Sequence, residues 1–505
     1  MKMILHRKEA HEAEKSTSLQ AHPDSQCFLS TLSLDFGSYH HDQLFIVNKD
    51  IAPDGFQRST VLAGRTPQDA SFPGPLITGR KGDRFTINVT DLLTDPTMDR
   101  STSIHWHGLF QKTTNYADGV AFVSQCPIAT NHSFLYDFGV PDQAGTFWYH
   151  SHLSVQYGDG LRGPIVIYDP EDPHQDLYDV DDESTIITIA DWFHLTSLQL
   201  LAALVVPNAD ATLINGNGRY VGGPDTPLTV INVEHGKRYR FRLIDMSFDA
   251  FHGFSIDNHN LTIIEVDGIN TLPHTVNFIE IYPAQRYSFV LNANRPISNY
   301  RIRALSNTGV GAHNFTNGVN SAILRYVGAP EEEPQTSQPL SSDVMIFREG
   351  DLHPLENPGA PGNPYPGGAD LVLNFTLGFD ADMVLFSMNG FTTKRRDAPA
   401  GPHPFHLHGH AFDVVRTSDS SEYNFKNPVR RDTTLVAMKN QTTIRFVTDN
   451  AGPWFLHCHI DLHLSLGLAV VLAEDTRDTK KDDMIPADWK ALCPIYNSLT
   501  PSQLP

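Results

Sequence analysis

Apolar and polar residues alternate with a period of two through much of this chain. In "RFTINVTD", Phe85, Ile87 and Val89 share one face; "YRFRLIDM" does the same with Tyr239, Phe241 and Leu243, and "RYSFVLNA" and "TTIRFVTD" repeat the pattern. Successive side chains of a strand point to opposite faces, so each segment predicts a half-buried β-strand. Helical spacing is rare, with candidates at "TSLQLLAALV" (196–205) and "ADWKAL" (487–492). The pattern predicts an all-β protein built as sandwiches or barrels.

Two polar breaks divide the strands. "APEEEPQTSQPLSS" (329–342) reads as a linker, and another break follows "IVIYDPEDPHQD" near 170–176. The expected domains are 41–170, 171–330 and 343–505, with 331–342 as linker. Residues 1–40 lack clear periodicity and are expected to be a loose extension. A chain of 505 residues is too long for one core, and 34 prolines with 35 glycines suit many short strands joined by turns.

Composition narrows the partners. A formal net charge of −21 disfavours nucleic acid and anionic membrane surfaces. No apolar run reaches the roughly 18 residues needed to span a membrane. The signals for location conflict. The N-terminus offers only Met3–Leu5 as an apolar run, too short for a secretory signal, yet sequons stand at Asn88, Asn131, Asn260, Asn314, Asn374 and Asn440. Of the cysteines Cys27, Cys126, Cys458 and Cys493, Cys458 lies inside a histidine cluster. The remaining three allow one disulfide and an odd thiol.

The chemistry is carried by an internal repeat. "SIHWHG" (103–108) precedes "GTFWYHSH" (145–152) much as "PFHLHG" (404–409) precedes "GPWFLHCH" (452–459). The first and third domains therefore read as copies of one unit. His-x-His in a strand puts both rings on one face. The pairs His105/His107, His150/His152, His406/His408 and His457/His459 can meet at an interface between the two copies and hold a metal cluster. His403, Cys458 and His463 make the two-histidine, one-thiolate set of a blue-copper site, with the non-coordinating Leu468 at the axial position. Cys458 stands between His457 and His459, so one sulfur joins the two sites. The first copy has Ser151 there and only helps hold the cluster. Zinc is the competing metal, although zinc sites seldom use ten histidines. His410 is expected in an outer layer or at the surface.

"HWHGLFQ", "HSHLSVQYGDGLRG", "HPFHLHGH" and "HCHIDLHLSLGLAVV" resemble the four copper signatures of the multicopper oxidase family, and "TNYADGVAFVSQCPI" and "VPDQAGTFWYHSH" look like those of fungal laccases. The resemblance covers roughly residues 42–500. It implies three cupredoxin-like Greek-key β-sandwich domains, four coppers, and one-electron oxidation of phenols and aromatic amines, lignin-related ones included, coupled to reduction of dioxygen to water. It also implies a secreted, glycosylated monomer. By matching position, the type 1 copper would use His403, Cys458 and His463, the type 2 copper His105 and His406, and the type 3 pair His107, His150, His152, His408, His457 and His459. His463 would face the reducing substrate, Asp249 would accept a phenol proton, and Asp118 and Asp461 would assist proton delivery. A Cys126–Cys493 bridge is implied, with Cys27 free.

Two departures from the family pattern bear on the fold. Gly158 and Phe248 stand where the family usually has a second cysteine pair. Only "TTKRRDAPAGP" separates "FSMNGF" (386–391) from "HPFH", where the family has some tens more residues. The third domain is therefore expected to be shortened, with one or two sheet edges open. The alternatives to a laccase are a ferroxidase or other multicopper oxidase, or a laccase variant impaired by the missing segment.

Overall fold

The computed structural model of the chain describes residues 1–7, 37–203, 208–308, 312, 314–335, 344–345, 347–380, 382–389, 396–397, 402–501 and 503–504. Its strands form sheets that group in three along the sequence. Two four-stranded sheets come first. One is ordered Arg58–Gly64, Tyr39–Ile51, Arg84–Asp91, Ser133–Gly139, the other Ile77–Arg80, Arg162–Tyr168, Gly145–Ser151, Ile104–His107. A six-stranded and a five-stranded sheet follow, drawn from strands between Ile186 and Tyr326. A five-stranded and a four-stranded sheet form the last group, with a small three-stranded sheet beside them. This is the all-β arrangement that the period-two pattern predicts. In Arg84–Asp91, Phe85, Ile87 and Val89 are buried and alternate with half-buried residues.

The strand Arg238–Asp245 departs from the expectation, because its polar face is buried too. Arg240 pairs with Asp172 and Glu265, and Arg242 reaches Asp181 at 2.7 Å, so ion pairs take the place of water. Both predicted helices form, as Ser197–Ala203 and, longer than the pattern suggested, Ala487–Asn497.

The N-terminal extension is not loose over its first residues. Lys2–Arg7 is a strand of the last group, antiparallel to Leu371–Asn374 and parallel to Thr443–Thr448. Met1 and Met3 are buried in the core beneath it. Strand Thr443–Thr448 is thus covered on the side facing Leu371–Asn374 by a strand from the far end of the sequence, and Leu371–Asn374 is left as the edge of that sheet. Within the shortened segment, Arg396–Asp397 adds a two-residue strand to Leu377–Asp380. Cys27 lies outside the described residues.

The C-terminal helix crosses in the opposite sense. Leu492 packs into the core of the first sheets, and Trp489 Nε1 donates to the Ser124 carbonyl at 2.9 Å. Cys493 bonds Cys126 across a sequence separation of 367 residues, as the resemblance implied. Replacing both cysteines by serine is expected to remove about 2–4 kcal/mol of stability. Thermal unfolding of the double variant with and without reductant checks this, since only the parent should respond to reductant.

At the second family cysteine pair, the Phe248 ring fills the space above Gly158. A side chain on Gly158 would meet that ring at 2.8 Å. Aromatic packing, with Tyr157 edge-on to Phe248 at 5.6 Å, occupies the place of a bridge.

Candidate metal centre

The histidine pairs sit at the ends of strands paired by register. In the first group His105 lies opposite His150, and in the last His406 lies opposite His457, with Phe405 opposite Cys458. Each first pair is followed by a glycine in the left-handed region, Gly108 at φ 90° and Gly409 at φ 72°. Neither position has room for a side chain. A Cβ at Gly108 would lie 2.5 Å from the Arg286 guanidinium, and one at Gly409 would lie 2.5 Å from the Trp454 ring. The two halves face one another closely, with ring centroids of His105 and His408 4.0 Å apart and those of His107 and His406 3.7 Å apart.

Donor atoms fall into sets whose members all lie within 4.8 Å of one another: His107, His150, His459; His152, His408, His457; and His105, His107, His406. One nitrogen of most rings is held from outside. Nδ1–H of His105, His150, His406 and His457 donates to the carbonyls of Asp118, Ser151, Asp432 and Cys458 at 2.7, 2.8, 3.0 and 2.9 Å. His408 Nδ1 donates to Asp118 Oδ2 at 2.9 Å. A carbonyl can only accept, so these contacts fix the tautomer and leave Nε2 as the free lone pair. Nε2 of His105, His150, His152 and His406, Nδ1 of His107 and both nitrogens of His459 are buried without a hydrogen-bond partner. Buried polar atoms are rarely left so. Lone pairs turned toward one another are what a bound metal satisfies, so the residues fit the group. Burial, followed by the charges of neighbouring rings, holds His150, His152, His408, His457 and His459 well below the ordinary histidine value, which keeps them neutral and ready to bind.

A separate set lies beside the cluster. Cys458 Sγ is 3.6 Å from His403 Nδ1 and 3.7 Å from His463 Nδ1. Leu468 is fully buried, and its carbonyl accepts the Cys458 N–H at 3.0 Å. Phe386 lies 4.4 Å from the His463 ring. Burial, with Asp249 and Asp461 adding, pushes the thiol far up, so metal must displace a proton here.

The remaining predicted residues take up distinct places. Asp118 is buried between His105 and His408. Asp461 is buried in the first turn of the helix Asp461–Ser465, and burial, with Asp99 adding, raises its carboxyl well above the usual range. Asp249 is half-buried. Burial and the nearby Asp191 carboxylate push it up to about 7. His410 is buried rather than superficial, 3.2 Å from Glu474.

Two acids were missed by sequence reasoning. Asp432 accepts a two-pronged contact from Arg286 at 2.8 and 2.7 Å, and its Oδ1 lies 3.3 Å from His107 Nε2. Asp191 accepts from the backbone N–H groups of Phe248, Asp249 and Ala250 at 2.7, 2.7 and 3.0 Å, which holds the turn bearing Asp249. Neither acid belongs to a spaced motif; each is found only by the approach of distant strands.

Three domain signatures described as multicopper oxidase match residues 49–172, 183–329 and 379–478. Laccase-2 of Pleurotus ostreatus is 51% identical over 90% of this chain and 92% of its own length. Laccase-4 of Trametes villosa is 53% identical over 91% and 94%. Among solved structures, the laccase of Botrytis aclada superposes with a TM-score of 0.77 at 28% identity, covering 92% of this chain and 93% of that one. Fet3p, a multicopper oxidase that functions in iron import, shares the fold with a TM-score of 0.74 at 24% identity over 91% and 95%.

Proposed function

The chain belongs to the multicopper oxidase family, and from that premise we propose that it is a laccase, taking single electrons from phenols and aromatic amines and reducing dioxygen to water. His403, Cys458 and His463 hold the type 1 copper. His105 and His406 hold the type 2 copper. His107, His150 and His459 hold one of the type 3 pair and His152, His408 and His457 the other. The domains are 41–170, 171–330 and 343–505, with Lys2–Arg7 lending a strand to the third. Bound copper supplies the one-electron chemistry.

The observation that carries this reading is the position of Cys458. Its sulfur faces His403 and His463, while its two peptide neighbours, His457 and His459, belong to different sets of the cluster. One residue thus ties the outer set covalently to both. The protein's own work is to fix the rings. Carbonyls and Asp118 orient them before metal arrives, and burial excludes water. Asp118 and Asp461 serve proton delivery to the cluster. A place outside the cell suits the Cys126–Cys493 bridge, and none of the six sequon asparagines is buried. Metal analysis, the visible spectrum and oxidation of 2,6-dimethoxyphenol against ferrous iron test the assignment. A colourless protein, or one that prefers ferrous iron, would overturn it.

Asp249 accepts the phenol proton as the electron leaves. Its carboxylate forms only as pH rises through about 7, so kcat/KM for a phenol should carry a limb that climbs toward that pH. Asp249→Asn should flatten this limb for phenol and leave oxidation of ferrocyanide, which has no proton to lose, unchanged. An equal change for both donors would assign Asp249 a structural role.

A further inference from the structure

We infer that Tyr157 is a positioning residue of the copper cluster: its hydroxyl fixes His459 through that residue's backbone carbonyl, in place of the orienting bond that the His459 ring lacks. The inference rests on the laccase reading in one respect, the assignment of His459 to the type 3 pair.

His459 is held differently from its neighbours. Nδ1–H of His105, His150, His406 and His457 donates to a carbonyl, which fixes each ring. Neither ring nitrogen of His459 has such a partner. Its backbone N–H donates to the Pro404 carbonyl at 2.7 Å, which secures the residue on one side. Tyr157 secures the other: its Oη lies 3.2 Å from the His459 carbonyl oxygen. A carbonyl only accepts, so the hydroxyl is the donor. No other hydrogen bond reaches that carbonyl among the described residues. The two rings also pack, with centroids 5.9 Å apart.

A residue that positions another must itself be fixed. Tyr157 is 1% exposed and lies in the short 3-10 helix Gln156–Asp159. Its neighbour Gln156 donates from Nε2 to the Asp99 and Ser101 carbonyls at 3.0 and 2.8 Å and accepts from Thr102 at 2.8 Å. The Arg162 guanidinium lies 5.6 Å from the Tyr157 ring centroid. The hydroxyl also lies 3.1 Å from the Ser247 carbonyl, on the turn that bears Asp249, so one proton serves two acceptors. That turn has further anchors. Asp191 accepts three of its N–H groups, and Arg162 donates to the Met246 carbonyl. The His459 carbonyl has no second donor, so loss of the hydroxyl is felt there.

Tyr157→Phe removes the hydroxyl and keeps the ring. Parent and variant, loaded with copper, are dialysed against rising EDTA. Cluster copper is read as total copper less the copper reported by the blue absorption. The variant should lose cluster copper at roughly tenfold lower EDTA, the low end of what removing a group that orients a ligand costs in metal affinity. Its blue colour should persist, because Tyr157 has no hydrogen bond to His403, Cys458 or His463 among the described residues. In the treated variant kcat should fall alike for 2,6-dimethoxyphenol and ferrocyanide, whose electrons both reach the cluster, and KM for the phenol should stay unchanged. Parental copper retention would overturn the inference and leave the laccase reading intact. So would an effect confined to the phenol, which would place the hydroxyl's role at the Asp249 turn, or joint loss of blue colour and cluster copper, which would make Tyr157 a general packing residue. A parent that is neither blue nor active would overturn both readings.

Discussion

Cys458→Ser is expected to extinguish the blue colour and drop phenol oxidation to background while most of the copper remains bound. Intense visible absorption of such centres comes from copper–thiolate bonding, and Cys458 is the only free cysteine among the described residues. Serine is nearly the same size, so the fully buried position 458 should keep its packing. The eight cluster histidines are untouched, and their orienting contacts run to carbonyls and to Asp118. Ser151→Ala gives the contrast. Ser151 occupies the equivalent place in the first repeat; its hydroxyl donates to Gln156 at 2.6 Å and accepts the Leu153 N–H at 3.4 Å, neither a cluster ligand, so its loss should leave colour and activity near parental values. Absorption spectra, copper content and oxygen uptake on the two variants decide the matter. A visible band that survives in Cys458→Ser would refute the type 1 assignment.

Asp432→Ala should be the most damaging change away from the ligands. The carboxylate is held well below its ordinary value: burial alone would raise it, but Arg286, His107 and His406 outweigh burial. Removing it leaves Arg286, which is fully buried, with Asp267 at 3.6 Å as its nearest acid. Breaking one side of a buried pair costs about 3–5 kcal/mol, enough to lower the melting temperature by roughly 10 °C in a domain of this size. The carboxylate also lies 3.3 Å from His107 Nε2 and 3.5 Å from His406 Nδ1, so cluster copper should fall together with stability. Asp432→Asn, which keeps the shape, should recover part of the stability. Differential scanning calorimetry with metal analysis tests this. An unchanged melting temperature with full copper loading in the alanine variant would show that Arg286 is satisfied without it.

Much of the site was legible because its determinants are local. His-x-His at a strand end needs only the period of two to bring both rings to one face, and every histidine singled out that way converges on the centre. The same period marked the half-buried strand Arg84–Asp91. Where a determinant depends on a distant strand, the pattern was silent. Asp432 lies 26 residues past His406 in a stretch with no motif, and its partner Arg286 comes from the middle sheets. Arg240 and Arg242 look solvent-facing in sequence; only the approach of Asp172, Asp181 and Glu265 turns that face inward. The strand Lys2–Arg7 escaped notice because three apolar residues are too few to signal burial, and its partners lie some 370 and 440 residues away.

That strand and the C-terminal helix cross the molecule in opposite senses, and this sets an order in time. Ribosomes add roughly 5–20 residues per second. Lys2–Arg7 therefore waits on the order of 20–90 s for Thr443–Thr448 to be made. The first sheets can close their own core early, but the helix Ala487–Asn497 and the Cys126–Cys493 bond reach them only after the strands of the last group have been made. Of the three groups of sheets, the last alone needs a strand from the opposite end of the sequence. Assembly of the copper-binding halves is thereby deferred until Thr443–Thr448 has been made, with an unpaired strand exposed to other chains throughout the wait.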